Sequence, residues 1–306
     1  MKWVKKGLIY APPGTSLTHA SIPVAQILEN NLMRIYFSSR DDKGRSNIYY
    51  LETNPDFPEQ VIKIIEKPIL SFGKLGTFDD NGLMPSCLVK KDDRYFLYYI
   101  GWNPQVTVTY RLSIGLAVSD GGKVFFFFSK GTLLDIVINE PYFNTAPCVI
   151  FENGKWRMWF VSCTGWEIVN DRPEPQYYIR YAESNDGINW RKNDKPCIDY
   201  SHKNEAIARP WVFKHDDKFI MLYSYRNIKN YRTDSMYSYR IGLATSLNGI
   251  DWDRHDDYSG IVCSDVGWDS QMICYPMVYK HNDKTILLYN GNGFGKTGFG
   301  YAVLEN

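Results

Sequence analysis

Along this chain, apolar and polar positions alternate in short runs that fall into one unit repeated five times. A proline opens a brief apolar strand at Pro23, Pro85, Pro147, Pro210 and Pro276, at spacings of 62, 62, 63 and 66 residues. Some ten to twelve residues later each unit carries an aromatic-rich second strand: Ile35-Tyr36-Phe37-Ser38, Leu97-Tyr98-Tyr99-Ile100, Met158-Trp159-Phe160-Val161, Met221-Leu222-Tyr223-Ser224 and Leu287-Leu288-Tyr289-Asn290. Third strands follow at Ile114–Ser119, Ile179–Ser184 and Ile241–Ser246, with degenerate versions at Ile48–Leu51 and Phe299–Val303. Three of them run into Asp120-Gly121, Asp186-Gly187 or Asn248-Gly249, dipeptides that accept the positive φ of a hairpin turn. Fourth strands fit Lys67–Leu70, Lys130–Leu133 and Lys195–Ile198, but the last unit ends after three. The N-terminal Lys6-Gly7-Leu8-Ile9 supplies the missing strand and closes the ring, which removes an open edge. The pattern predicts an all-β fold, a five-bladed β-propeller built as one domain over residues 1–306. The long segments Trp102–Tyr110, Trp166–Gln176 and Arg226–Tyr239 are expected as loops covering a site.

Composition sharpens this reading. Tyrosine (23), phenylalanine (16) and tryptophan (9) make up 16% of the chain, residues that favour half-buried strands and also stack on sugar rings. Lys and Arg number 35 against 34 Asp and Glu, with no basic block, which argues against nucleic acid as a partner. No apolar run approaches the roughly 20 residues of a membrane span, so no membrane association is expected. The N-terminus lacks the apolar core of a secretory signal, and a cytoplasmic location follows as an expectation. Six scattered cysteines without a CxxC pair read as reduced core thiols.

In a propeller the first strand of each blade lines the central channel, so residues just ahead of the five prolines are expected at one mouth. Five places upstream lie Thr18, Asp80, Tyr142, Glu205 and Gln271; immediately upstream lie Ile22, Met84, Ala146, Arg209 and Tyr275. His19 and the preceding insertions add Asp79, Asn81, Glu140, Asn144 and Asp269. Second strands end at an aligned position held by Arg40, Trp102, Cys163, Arg226 and Asn292, with Trp166 nearby. Guanidinium forks bind phosphate or carboxylate and indoles stack on C–H faces, so this rim suits a carbohydrate or sugar-phosphate ligand. The alternative for Asp80 and Glu205 is a hydrogen bond bridging blades.

The five proline-led blades, the Thr77–Pro85 and Asn204–Pro210 segments and the repeated Ser-x-Asp-Gly-x-x-Trp (Ser184 to Trp190, and Ser246 to Trp252 with Asn248) resemble the five-bladed glycosidase superfamily of arabinanases, levansucrases, invertases and mannoside phosphorylases. More narrowly, the chain is similar to glycosylase-like proteins associated with bacterial surface-polysaccharide biosynthesis. The resemblance implies a first-blade carboxylate as base or nucleophile and a later-blade acid that protonates the leaving oxygen. Here the first blade reads Thr18-His19-Ala20-Ser21-Ile22-Pro23, with no acid. Two readings follow. One is a carbohydrate-active enzyme that hydrolyses a glycosidic bond or transfers a glycosyl group to phosphate or a sugar. Its acid/base pair is Asp80 and Glu205, with Asp269 auxiliary and Arg40, Arg209, Arg226 and His19 holding an anionic group. The other is a carbohydrate-binding propeller without turnover. Neither requires a cofactor or metal, since His19 has no ligand-spaced partner.

Overall fold

The computed structural model describes residues 1–15, 17–128 and 130–305. Strand β1 (Trp3–Tyr10) precedes five repeated units. Blade one holds β2 (Ser21–Ile27), β3 (Met33–Arg40), β4 (Ser46–Asn54) and β5 (Phe57–Ile64); blade two holds β6 (Leu83–Lys91), β7 (Arg94–Pro104), β8 (Tyr110–Asp120) and β9 (Phe126–Phe127). Blade three contains β10 (Asn144–Glu152), β11 (Lys155–Val169), β12 (Arg172–Ser184) and β13 (Arg191–Ile198), and blade four β14 (Glu205–His215), β15 (Lys218–Asn227), β16 (Arg240–Ser246) and β17 (Asp253–Arg254). Blade five has β18 (Cys274–His281), β19 (Lys284–Asn290) and β20 (Phe299–Leu304), and takes β1 as its fourth strand. All pairings are antiparallel within blades, and the proline-led strands touch in the closed order β2, β6, β10, β14, β18, β2. The chain therefore forms a five-bladed β-propeller closed by its N-terminal strand, with Trp3 to Tyr10 registered against Leu304 to Phe299.

One periodic device joins neighbouring blades, and a second pins a blade's own loop to its second strand. The second residue of the aromatic four-residue motif in the second strand donates to the turn carbonyl of the next blade: Tyr36 to Gly122 (3.3 Å), Tyr98 to Gly187 (2.8 Å) and the Trp159 indole to Gly249 (2.8 Å). The Ser-x-Asp-Gly motif shapes these turns. Ser184 Oγ accepts from the Asp186 and Gly187 N–H groups, and Asp186 Oδ1 accepts from Ile188 and Asn189. The third position of the same motif pairs with an acid whenever it is tyrosine: Tyr99 with Asp79 (2.8 Å), Tyr289 with Asp269 (3.0 Å), and Tyr223 with Asp256. Opposite each of these tyrosines the third strand has glycine (Gly115, Gly300, Gly242); Gly115 and Gly242 leave room for the tyrosine ring, and Gly300 leaves room for the Trp268 indole. Blades one and three have Phe37 and Phe160 there, facing Tyr49 and Arg180.

Three local expectations are corrected. The fourth strand of blade one is Phe57–Ile64, not Lys67–Leu70, because the chain turns back directly after β4; Leu70 keeps only an isolated bridge to Ile48. In blade two it is Phe126–Phe127 rather than Lys130–Leu133. The segment Trp166–Gln176 is no loop: β11 and β12 stay paired out to Val169 and Arg172, joined by Asn170-Asp171 with φ of 49° and 60°, the left-handed pair of a tight hairpin turn.

Candidate functional site

The geometry of the channel follows from a bulge repeated at its wall. Immediately before the proline, Ile22, Ala146, Arg209 and Tyr275 have φ of 57°, 47°, 50° and 57°, a left-handed backbone that such residues adopt only where the surrounding structure enforces it. The ladder slips there in the same four blades, between Ser21 and Val24, Thr145 and Cys148, Ala208 and Trp211, and Cys274 and Met277. Amide groups freed by two of the bulges are taken up by the preceding blade: Ile22 N–H donates to Asn290 Oδ1 (2.8 Å) and Tyr275 N–H to Ser224 Oγ (2.8 Å). All five pre-proline residues then line the axial cavity.

That cavity has two chambers sharing Met84, Tyr110, Leu112, Tyr177, Tyr239 and Tyr275. The outer chamber, about 200 Å³, adds Arg40, Trp102, Tyr231, Arg232 and Phe294. The inner one, about 120 Å³, adds Thr145, Arg209 and small apolar side chains. Among the described residues, neither lining contains a carboxylate. Two grooves flank the mouth. One, of about 270 Å³, runs under Trp166, Tyr142 and Phe143; the other, of about 250 Å³, runs past Gln271, Tyr231 and Phe294.

Charge at the mouth is positive. The Arg40 guanidinium lies 5.6 Å from the Trp102 ring, and among the described residues no hydrogen bond or ion pair reaches it. Burial lowers its pKa, with Arg232 adding repulsion. Arg232 is tied to buried Glu174 (2.9 Å) and lies over Tyr231 and Phe294. His19, half-buried and in contact with Thr18 Oγ1 (3.0 Å), is held down to about 4 by burial and then by Arg40 and Lys296. A histidine whose folded value is depressed loses stability as the pH falls from its ordinary 6.5 toward that lower value, because the unfolded chain takes the proton first. Thermal melts between pH 6.5 and 4 should thus show a decline in the wild type that His19→Asn lacks. Parallel pH profiles would contradict it.

The remaining sequence candidates separate into different places. Among the residues five positions upstream of the prolines, none lines the axial cavity; Tyr142 and Gln271 reach only the flanking grooves. The reason is local. In blades one, two and five the first strand starts only two residues before the proline, so the two-residue alternation does not extend that far. Asp80 lies half-buried beside the mouth, accepting from Gly76 N–H (2.9 Å) and Asn103 Nδ2 (2.7 Å), next in sequence to Trp102. Glu205 is buried in a fork from Arg254 (2.9 and 3.0 Å) and also accepts from Ser201 N–H (2.6 Å). Asp269 is buried under Lys5 (2.6 Å) and Tyr289, where it fastens the closing strand. Asp79 is buried against Tyr99 and Thr77. Asn144 is buried, with Nδ2 on the Asp135 carbonyl. Arg226 is buried and engaged by the Pro175 carbonyl and the Tyr177 and Tyr239 hydroxyls, stacked 3.7 Å from the Tyr231 ring centre; it supports the wall of the mouth without lining it. Arg40, Trp102, Arg209 and Tyr275 do line the cavity. Tyr110, Leu112, Tyr177, Tyr231, Arg232, Tyr239 and Phe294 line the cavity without having been candidates from sequence. A signal for part of this set existed: Leu112, Tyr177 and Tyr239 each stand two residues before the isoleucine that opens the third-strand motif. Among the described residues no group of three or more His, Cys, Asp or Glu side chains gathers to hold a metal ion, and no helix is long and apolar enough to cross a membrane.

No family model matches the chain. It is 39% identical over 310 residues to the uncharacterized protein Rv1502 of Mycobacterium tuberculosis H37Rv, with all of both chains covered. It is 30% identical over 154 residues to the 1,2-beta-oligomannan phosphorylase of Thermoanaerobacter sp. X514, a match spanning 48% of this chain and 45% of that one. Among solved structures, a glycoside hydrolase superposes with a TM-score of 0.77 at 16% identity, over 99% of this chain and 92% of the other. A structure from the GH130 family of mannoside phosphorylases gives 0.69 at 14% identity, over 99% and 93%. At such identities the structural likeness is one of fold.

Proposed function

We infer the function of a chain that belongs, over its whole length, to the family of the Mycobacterium tuberculosis protein Rv1502. The reading is a carbohydrate-active enzyme that moves a glycosyl group between a sugar and phosphate. One observation carries it: the axial cavity presents tyrosines, a tryptophan and, at its mouth, the unneutralised Arg40 guanidinium, and among the described residues no carboxylate lines it. Hydrolysis needs a base to activate water, whereas phosphate is already an anionic nucleophile and asks the protein only for positive charge and position. Arg40 has a free fork for a phosphate oxygen pair beside Arg232, and the aromatic lining gives a sugar ring apolar faces. In such a step a phosphate oxygen bonds to the anomeric carbon as the glycosidic C–O bond breaks, and the departing oxygen takes a proton. We assign that proton to Asp80, the half-buried carboxylate held beside the mouth by Asn103. The sugar is suggested by relatives named for phosphorolysis of 1,2-beta-oligomannan and beta-1,2-mannobiose.

Incubating the protein with β-1,2-mannobiose, with and without phosphate, tests this. Mannose 1-phosphate should form only with phosphate present. Arg40→Gln should raise the KM for phosphate about 10-fold or more, the scale of losing one charge-assisted hydrogen bond, and Asp80→Asn should lower turnover about 100-fold. Phosphate-independent hydrolysis would overturn the reading. Saturable sugar binding with no turnover would instead favour a binding propeller, the reading that the absence of carboxylates in the cavity lining also suits.

A further inference from the structure

Below the mouth, the inner chamber poses a separate electrostatic problem. Arg209, on β14, is 1% exposed, yet its Nε and Nη2 groups have no hydrogen-bond partner among the described residues. Nη1 reaches only the Pro210 carbonyl at 3.4 Å, a long contact. The guanidinium carbon also lies 5.4 Å from the centre of the Trp211 ring. Among the described residues no acid side chain pairs with this charge; the titratable groups around it are the Cys87 and Cys148 thiols and Tyr275. Burial lowers the Arg209 pKa to about 10, so the group stays protonated at neutral pH. A fully buried cation with no counter-ion and a single long hydrogen bond carries a desolvation cost that folded proteins seldom leave uncompensated.

The chamber that Arg209 lines contains one further orphan. Thr145 is 3% exposed and its hydroxyl also lacks a partner among the described residues. The remaining lining is largely apolar: Ile22, Ile100, Leu112, Ala146, Val161 and Ala208. The space, about 120 Å³, exceeds what a single water occupies in the liquid, about 30 Å³. Water in this space can satisfy N–H groups but leaves the charge unneutralised. We propose that the inner chamber is a halide site, in which one chloride is held by the Arg209 Nε and Nη2 groups and the Thr145 hydroxyl. A single guanidinium among apolar walls neutralises one negative charge, which selects a weakly hydrated monovalent anion over a dianion such as phosphate. The site is distinct from the phosphate position at Arg40 and does not depend on it, and it adjoins the outer chamber, with which it shares six lining residues.

Thermal melts in gluconate buffer, with chloride or phosphate added at matched ionic strength, test the assignment. Chloride should raise the Tm of the wild type by about 2–4 °C, saturating with concentration. Arg209→Met should abolish that rise and should melt higher than the wild type in gluconate alone, since the unpaired buried charge is gone. Arg40→Gln should keep the chloride response while losing the phosphate response. Thr145→Val should weaken the chloride response and serves if Arg209→Met fails to fold. Bromide-soaked crystals should show an anomalous peak on the Arg209 fork. An Arg209→Met protein as chloride-responsive as the wild type, or a wild type that ignores chloride, would overturn the proposal. Loss of the phosphate response alone would count against the mouth reading and leave this one standing.

Discussion

Deleting residues 1–10 is expected to leave a chain that does not fold to a cooperative native state. The closing strand buries Trp3, Ile9 and Tyr10, with Tyr10 packed 5.3 Å from Phe37 of blade one. Full burial of side chains of this size contributes about 1.5–3 kcal/mol each. Lys5 is the ion-pair partner of Asp269, whose side chain is 3% exposed. Removing one member of a buried pair costs about 3–5 kcal/mol, because the remaining charge stays desolvated. Together these losses approach the whole stability of an ordinary domain, about 5–15 kcal/mol. The deletion also bares the β20 edge for pairing with other chains. Soluble yield, dye binding to exposed apolar surface and the melting curve report the outcome; a truncated protein with an unchanged Tm would refute it. Lys5→Met isolates the ion pair and should give a smaller loss in the same direction.

That strand was legible because a propeller has an arithmetic: five prolines at near-constant spacing and three strands in the last unit require a fourth from elsewhere. The inward turn of the pre-proline residues was legible for the same reason, although its cause was not. Ile22, Ala146, Arg209 and Tyr275 reach the axis through a left-handed bulge, which a period-two reading does not contain. The acids were harder. Asp79 and Asp269 have the residue type of catalytic groups, and what marks them as structural is a correlation between strands: tyrosine at the third position of the second-strand motif, glycine facing it, and an acid brought in by a loop. The partner acid arrives from different places, before the first strand for Asp79 and Asp269 but after the outer strand for Asp256, so no fixed offset exposes it. The mouth cations divide in a similar way. Arg40 and Arg226 are aligned in sequence, yet the loop after β15 folds Tyr231 over Arg226 and delivers Arg232 to the cavity in its place.

Glu205→Gln is expected to cost stability while leaving turnover per folded molecule nearly unchanged. The Glu205 carboxylate is 1% exposed and takes both ends of the Arg254 fork, and Arg254 in turn bonds Asp256 (2.5 Å) and the Asp199 carbonyl (2.7 Å). With Ser201 held by the same carboxylate, the cluster clasps the exit of blade three to the first and outer strands of blade four. An amide keeps the shape but presents only one acceptor and removes the charge that compensates Arg254, so a loss of about 3–5 kcal/mol is expected at neutral pH. Burial pushes the carboxyl upward, but the Arg254 fork and the Ser201 N–H pull it further down, leaving its pKa below the ordinary value. A depressed acid contributes stability that is present above its unfolded pKa of 4.5 and disappears as the pH falls through the folded value. The gap between wild type and variant should therefore be widest near neutrality and shrink in acid below about 4.5. Chemical denaturation at pH 7 and at pH 3.5 measures it. If turnover instead collapses while the Tm holds, Glu205 is a proton-transfer group and the clasp is secondary. If both fall, assaying only the folded fraction separates the two, because a structural residue leaves the turnover of surviving molecules intact.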